Sequence, residues 1–381
     1  MKYFSLDLFR GFAALWVFAF HYGFSAEFKS VFSELTTFLN NGHLGVPIFF
    51  VISGYCITAS ARSAISKDTP TKTFVFRRLR RIYPTFWFSI LAVITIPFVM
   101  TLLSYLKTGD FLLPAREDWG FLNFDFWHWL RIATLTEIFA VVPDASNLSD
   151  KFTQINAPYW SLAIEVQFYL AVALCLLLPR KYFSTSFTVI TLCSIATQVL
   201  GMPTIWGIFL NSWLGFALGG LVAVSIEKNW IISDKHNAIL RKATCLLGLL
   251  TLLGMLSYAA VETHVNHLVF EVAFAFALWA IRPLDLIIPT LRQNSLSAKT
   301  IKLLSLTGVI SYSVYLLHGK LMHLCAMILR QLLKTDTILF DMSVISLTCL
   351  LCLPFYYLCE KPFASSAKKK KQQELSALAT D

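Results

Sequence analysis

Residues 5–22, "SLDLFRGFAALWVFAFHY", are apolar enough to cross a bilayer, yet they carry Asp7, Arg10 and His21. At about 100° and 1.5 Å per residue, eleven positions come to three helical turns plus roughly 20°, a climb of about 16 Å. Arg10 and His21 therefore share one helix face, the arginine low and the histidine toward the other boundary. Asp7, three residues before Arg10, is spaced to pair with it. Ionisable groups within a span cost at least a few kcal/mol, so they turn to a bundle interior or a water-filled cavity. The segment alone leaves two readings open: a polar path, or an arginine snorkelling at one boundary with an interfacial histidine at the other.

The whole chain shares this character. Of 381 residues, 56% are hydrophobic and 14% charged, and the mean hydropathy is +0.64. Soluble domains carry about a quarter charged residues, so the composition is that of a polytopic membrane protein. Runs of about 20 apolar residues, the length needed to cross the hydrocarbon core, occur near 4–25, 44–60, 83–105, 157–178, 185–200, 204–226, 243–260, 267–281, 303–326 and 339–359. The fifth and eighth are the shortest. No small-residue cleavage site follows the first run, which is read as a retained helix. Most of the 32 Lys and Arg fall in segments that face inward if the amino terminus is cytoplasmic, the bias that sets topology. The expectation is an all-α, polytopic transmembrane helical bundle of about ten spans with both termini cytoplasmic. Residues 1–363 form one integral-membrane domain, and 364–381, containing "KKKK", a basic, flexible cytoplasmic tail. The net charge of +10 then faces anionic lipid and gives no ground for nucleic-acid binding.

The largest expected outer loop, 106–156, holds carboxylates from Asp110 to Asp150 beside Trp119, Trp127 and Trp129. It suits interfacial anchoring better than sugar contact and is too short for a separate catalytic domain. All eight cysteines lie in or beside spans, and Cys349 and Cys352, though spaced CxxC, sit on an apolar run where packing is the natural role. No metal-ligand cluster, phosphate loop or internal repeat is visible.

Other spans carry polar groups at depth. In "APYWSLAIEVQFYLA", Glu165 lies roughly 12 Å into its run, with Ser161 four residues before it and Tyr169 four after. Span two, "GVPIFFVISGYCIT", places Ser53 and Gly54 near its middle, a small pair suited to close helix packing. Span nine, "SYSVYLLHGKLMH", contains His318. The segment "FVFRRLRRIYP", read as a cytoplasmic loop, spaces Arg78 and Arg81 three apart. Such a pair either clamps phosphate bidentately or supplies topogenic charge.

These stretches together resemble the integral-membrane acyltransferase family 3, which includes O-acetyltransferases of O-antigen, peptidoglycan and exopolysaccharide. "LDLFRGFAALWVFAFH" is similar to its basic residue followed by His, "GVPIFFVISGY" to its Phe-Phe-x-x-Ser-Gly segment, and "RRLRRIYP" to its Arg-x-x-Arg motif. "YWSLAIEVQFY", "SYSVYLLH" and "CEKPF" follow in order. The resemblance implies a bacterial inner-membrane enzyme that takes an acyl group, most simply acetyl from acetyl-CoA as co-substrate with no permanently bound cofactor or metal. The implied acceptor is a carbohydrate or lipid-linked glycan, and membrane lipids are the surroundings. Arg78 and Arg81 would hold the coenzyme phosphates, and Arg10 and His21 would lie along the acyl-bearing arm.

A sugar hydroxyl is a poor nucleophile at neutral pH, and a neutral imidazole is suited to take its proton. His21 is therefore the expected base, or alternatively a transient acyl carrier. Arg10 would stabilise negative charge or position the donor, and Glu165 would orient a histidine or steady its charged form. Ser53, Tyr169 and His318 are candidate acceptor or relay contacts. The alternative reading is a transporter or flippase for a polar or lipid-linked substrate, which would also keep buried Arg, His and Glu.

Overall fold

The computed structural model describes residues 4–109, 116–140, 151–201, 207–227, 238–262, 265–285 and 295–364. The expected tail from 365 onward and the loop acids Asp110, Asp144 and Asp150 lie outside the described residues. Ten longer helices carry the fold: α1 (Phe4–Tyr22), α2 (Gly45–Ser66), α3 (Thr71–Thr108), α4 (Tyr159–Leu177), α5 (Phe183–Val199), α6 (Trp213–Glu227), α7 (Ala238–Val261), α8 (His267–Ala280), α9 (Ser295–Leu329) and α10 (Ile338–Phe355). Each of the ten expected spans falls on one of them. Eight helical segments among the described residues are long and apolar enough to cross a membrane. The other two are the runs read as short, α5 with 17 residues and α8 with 14.

Local chemistry explains several boundaries. Gly23 takes φ +70° at the turn after α1, and Ser25 then caps the following short helix by accepting from the Phe28 amide. Asn266 and Thr337 cap α8 and α10 through Val269 N–H and Phe340 N–H. Asp341 ties this end of the bundle together, accepting from Tyr22 Oη at 3.0 Å and Ser25 Oγ at 2.6 Å.

The helices that build the centre are α1 packed on α9, α2 on α6, and α4 on both α2 and α3. The α2–α6 crossing depends on two missing side chains. A Cβ at Gly54 would strike the Phe216 carbonyl, and one at Gly219 the Val51 carbonyl. Gly54 is thus a packing residue, as its sequence context suggests. Gly54→Val is expected to cost about 1–3 kcal/mol of stability through overpacking, read as a lowered melting midpoint in detergent. An unchanged midpoint would contradict so close a crossing.

Two expectations are corrected. The arginine-rich segment is no loop: α3 begins at Thr71, whose Oγ1 donates to the Leu176 carbonyl near the end of α4 (3.2 Å). Ser89 then meets Tyr159 Oη at the opposite end of α4 (2.9 Å). The stretch 71–89 therefore runs the length of α4, and Arg78 and Arg81 lie inside the bundle. Hydropathy alone starts the span at 83 because four arginines dilute the preceding turns. The expected outer loop also does more than rest at an interface. Phe121, Ile132, Leu135 and Ile138 are buried in the main core. Trp87 Nε1 donates to the Ala133 carbonyl (2.9 Å) and Tyr83 Oη to the Thr134 carbonyl (3.0 Å). Gln167 similarly holds the Gly207 carbonyl and the Phe209 amide. Side chains thus satisfy irregular backbone that folds back among helices, the condition under which such backbone is tolerated in a membrane protein. Trp127, 62% exposed, keeps the anchoring role open for its own part of the segment.

Candidate active site

The sequence-selected residues divide between two adjoining cavities. The inner one is lined by Arg10, Ser53, Arg81, Glu165, Tyr169 and Tyr312 among others. The other, lined by His21, His43, His267 and Glu271, lies where α1 and α5 end and where α2, α4, α6 and α8 begin. These are the ends that chain direction assigns to one side of a bundle of alternating helices. Phe50 and Tyr315 belong to both linings and form the wall between them.

In the inner cavity, Glu165 Oε1 accepts from Ser53 Oγ at 2.7 Å and Tyr169 Oη at 2.5 Å. The Tyr169 contact follows from the i, i+4 spacing on α4, whereas Ser53 arrives from α2 by tertiary packing. Arg10 lies 3.9 Å from Asp7, the expected i, i+3 ion pair, and donates to Cys56 Sγ at 3.1 Å. Arg78 stacks over the Phe74 ring at 5.7 Å. Arg81 keeps an open surface although it stands among helices, because it faces the cavity. Glu165 and Tyr169 are electrostatic neighbours of both Arg78 and Arg81. A cationic pair with carboxylate and phenol around it can exchange those partners for a phosphate, with bidentate geometry favouring arginine.

Sequence reasoning passed over one member of this group. Glu360, at the end of a π-turn (Tyr356–Glu360) after α10, accepts from Ser313 Oγ at 2.5 Å and neighbours Arg81 and Arg10 electrostatically. Its signal was present in "CEKPF". Together with Glu165 it balances the inner arginines.

His21 lines the second cavity. Among the described residues its ring packs against Phe20 (5.0 Å) and His318 (5.4 Å). His318 is fully buried, with Nδ1 3.1 Å from the Val314 carbonyl and 3.0 Å from the Tyr315 carbonyl. Carbonyls only accept, so Nδ1 carries the proton and Nε2 is an acceptor; that atom has no hydrogen-bond partner among the described residues. His318 is thus fixed in one tautomer beside His21, with ring packing and no hydrogen bond between the two among the described residues. Tyr169, in contrast, is on the inner side, and Glu165 contacts Ser53 and Tyr169 rather than an imidazole. The wall residue Tyr315 is itself fixed, its Oη donating to the Pro158 carbonyl (3.0 Å) and accepting from Ser161 Oγ (2.5 Å). Phe50 packs edge-on to Phe168 at 5.3 Å.

His43, His267 and Glu271 were also missed. They sit close to helix ends, where hydropathy reads them as boundary residues. A signal existed in "HLVFEVAF", which spaces His267 and Glu271 four apart on one helical face.

With this geometry in place, comparison with known proteins finds a family model described as "Acyltransferase domain" matching residues 3–357. The chain is 29% identical over 198 residues to the Bacillus subtilis protein named "Putative peptidoglycan O-acetyltransferase YrhL", covering 50% of this chain and 27% of that protein. It is 31% identical over 179 residues to "Acyltransferase MdmB" of Streptomyces mycarofaciens, covering 46% and 40%. It is 32% identical over 153 residues to "Putative O-acetyltransferase SACOL0978" of Staphylococcus aureus, covering 38% and 22%. The matched stretches thus span less than half of each of these relatives. No solved structure matches.

Proposed function

The chain belongs to the acyltransferase domain family, and on that premise we propose that it moves an acyl group, most simply acetyl, from a cytoplasmic acyl-CoA to a hydroxyl of a cell-surface or lipid-linked carbohydrate. The place of action in this reading is the bacterial inner membrane. The observation that carries it is the pair of cavities meeting at Phe50 and Tyr315, one with arginine and the other with imidazole. A donor with phosphates at one end and a neutral thioester at the other suits the first. A neutral hydroxylic acceptor suits the second.

In this reading Arg78 and Arg81 hold the donor phosphates, and Arg10 lies along the arm that brings the thioester to the junction at Phe50 and Tyr315, where the two cavities adjoin and the acceptor hydroxyl meets it. His21 takes the proton from the acceptor hydroxyl as its oxygen attacks the thioester carbonyl. The tetrahedral oxyanion collapses with cleavage of the carbon–sulfur bond. The thiolate then recovers the proton from the His21 imidazolium, giving one ester and one free thiol. His318 supports this cycle as a neutral imidazole packed against the His21 ring.

The test is binding and turnover of acetyl-CoA by the purified protein in nanodiscs. Saturable binding with acyl transfer to glycan supports the reading, whereas a wild-type protein that neither binds nor consumes the donor moves the transporter reading ahead. The wall makes a further prediction. Phe50→Ala joins the cavities, so acyl-CoA hydrolysis without acceptor is expected to rise severalfold as water reaches the thioester. An unchanged hydrolysis rate would argue that Phe50 does not separate donor from water.

A further inference from the structure

Glu271 is a carboxylate within an apolar helix, facing the cavity that His21 lines. Even a half-buried carboxylate in such surroundings ordinarily has a partner, but no hydrogen bond or ion pair from the described residues reaches this one. Its place is nonetheless built. A Cβ on Gly215 of α6 would sit 2.7 Å from Glu271 Oε1 and 3.0 Å from Oε2. The carboxylate therefore lies over bare backbone that any side chain at 215 would disturb.

Its neighbours share one chemistry. His267 precedes it by one turn on the same face, and the His43 ring lies 5.4 Å from that of His267. Trp160, 39% exposed, contributes an aromatic surface to the same cavity. No Lys or Arg is in this lining among the described residues, so only imidazole stands by to compensate an anion, and Glu271 opposes one. A carboxylate takes two O–H donors, an imidazole exchanges one, and an indole face covers the C–H face of a pyranose. That set suits a neutral polyhydroxylated ring and disfavours a phosphate.

We propose that Glu271, with His267 and His43, forms the acceptor subsite, gripping adjacent hydroxyls of a neutral sugar and so deciding which hydroxyl reaches His21. This rests on the acyltransferase reading above. The grip leaves the donor side untouched, because the inner arginines lie across the Phe50–Tyr315 wall.

The experiment has two arms. Cells carrying the wild-type gene, Glu271→Gln or Glu271→Ala at its own locus are compared for ester-linked acetate released by mild alkali from envelope polysaccharide. The same three purified proteins are titrated with acetyl-CoA in nanodiscs. The expected result is a loss of ester of about tenfold or more in both variants, the scale of one hydrogen bond to the acceptor, with donor affinity unchanged. Wild-type ester content in Glu271→Ala overturns the proposal. So does loss of donor binding in the isosteric Glu271→Gln, which would make the carboxylate a structural group. A wild-type protein that neither binds acetyl-CoA nor adds ester fails differently: it removes the acyltransferase reading, and the subsite with it.

Discussion

His21→Ala is expected to lower acyl transfer by about 10²–10⁴-fold, the range of a lost general base, while leaving membrane insertion and acyl-CoA affinity as in the wild type. The split follows from placement. His21 lines the cavity without the arginines, and its packing partners there are aromatic rings, so its removal takes away no contact to the donor phosphates and, among the described residues, breaks no hydrogen bond that holds the bundle. The measurement is initial rate at saturating acyl-CoA together with a donor binding isotherm on the same preparation. Wild-type turnover would remove the base mechanism. A variant that still forms a labelled acyl-protein would place the acyl carrier elsewhere. The transporter alternative separates here too, because a conduit for glycan does not consume donor at all.

What could be read in the sequence is what helical periodicity fixes. The shared face of Arg10 and His21, the Asp7–Arg10 pair and the Glu165–Tyr169 contact are separations of eleven, three and four residues along continuous helices, so rise and rotation settle them without knowledge of the fold. What could not be read depends on which helices meet. Ser53 reaches Glu165 because α2 packs on α4, and no local pattern encodes that pairing. The expectation that Glu165 serves a histidine treated depth in the membrane as proximity. The aromatic wall separates groups whose heights in their own helices had suggested one site. The start of α3 was hidden for another reason: hydropathy penalises each arginine by its transfer cost, but a cavity with Glu165 and Glu360 beside it lowers that cost, and the helix continues through the charges. Glu271 was overlooked because a single acid in "HLVFEVAF" reads as a boundary residue until α6 is seen to leave room for it at Gly215.

The second large effect is expected on the donor side. Combined Arg78→Ala and Arg81→Ala should weaken acyl-CoA binding by at least about a hundredfold, since each charge-assisted contact to phosphate is worth roughly 1.5–3 kcal/mol. Paired Arg77→Ala and Arg80→Ala is the control, because each lies about 100° round the helix from its neighbour in the Arg78–Arg81 pair while carrying the same charge. Arg81→Lys should recover only part of the loss, for an ammonium keeps the charge but cannot present the planar fork. The surrounding carboxylates sharpen the argument. With Arg78 and Arg81 removed, Glu165 loses two cationic neighbours and Glu360 keeps Arg10, so an added phosphate meets a more negative site instead of a vacant clamp. The double variant should therefore lose more than the sum of the single variants, a coupling that a double-mutant cycle reads directly. If turnover falls while donor affinity holds, the arginines act on the charge that develops during transfer. The phosphates would then need another anchor on the inner side.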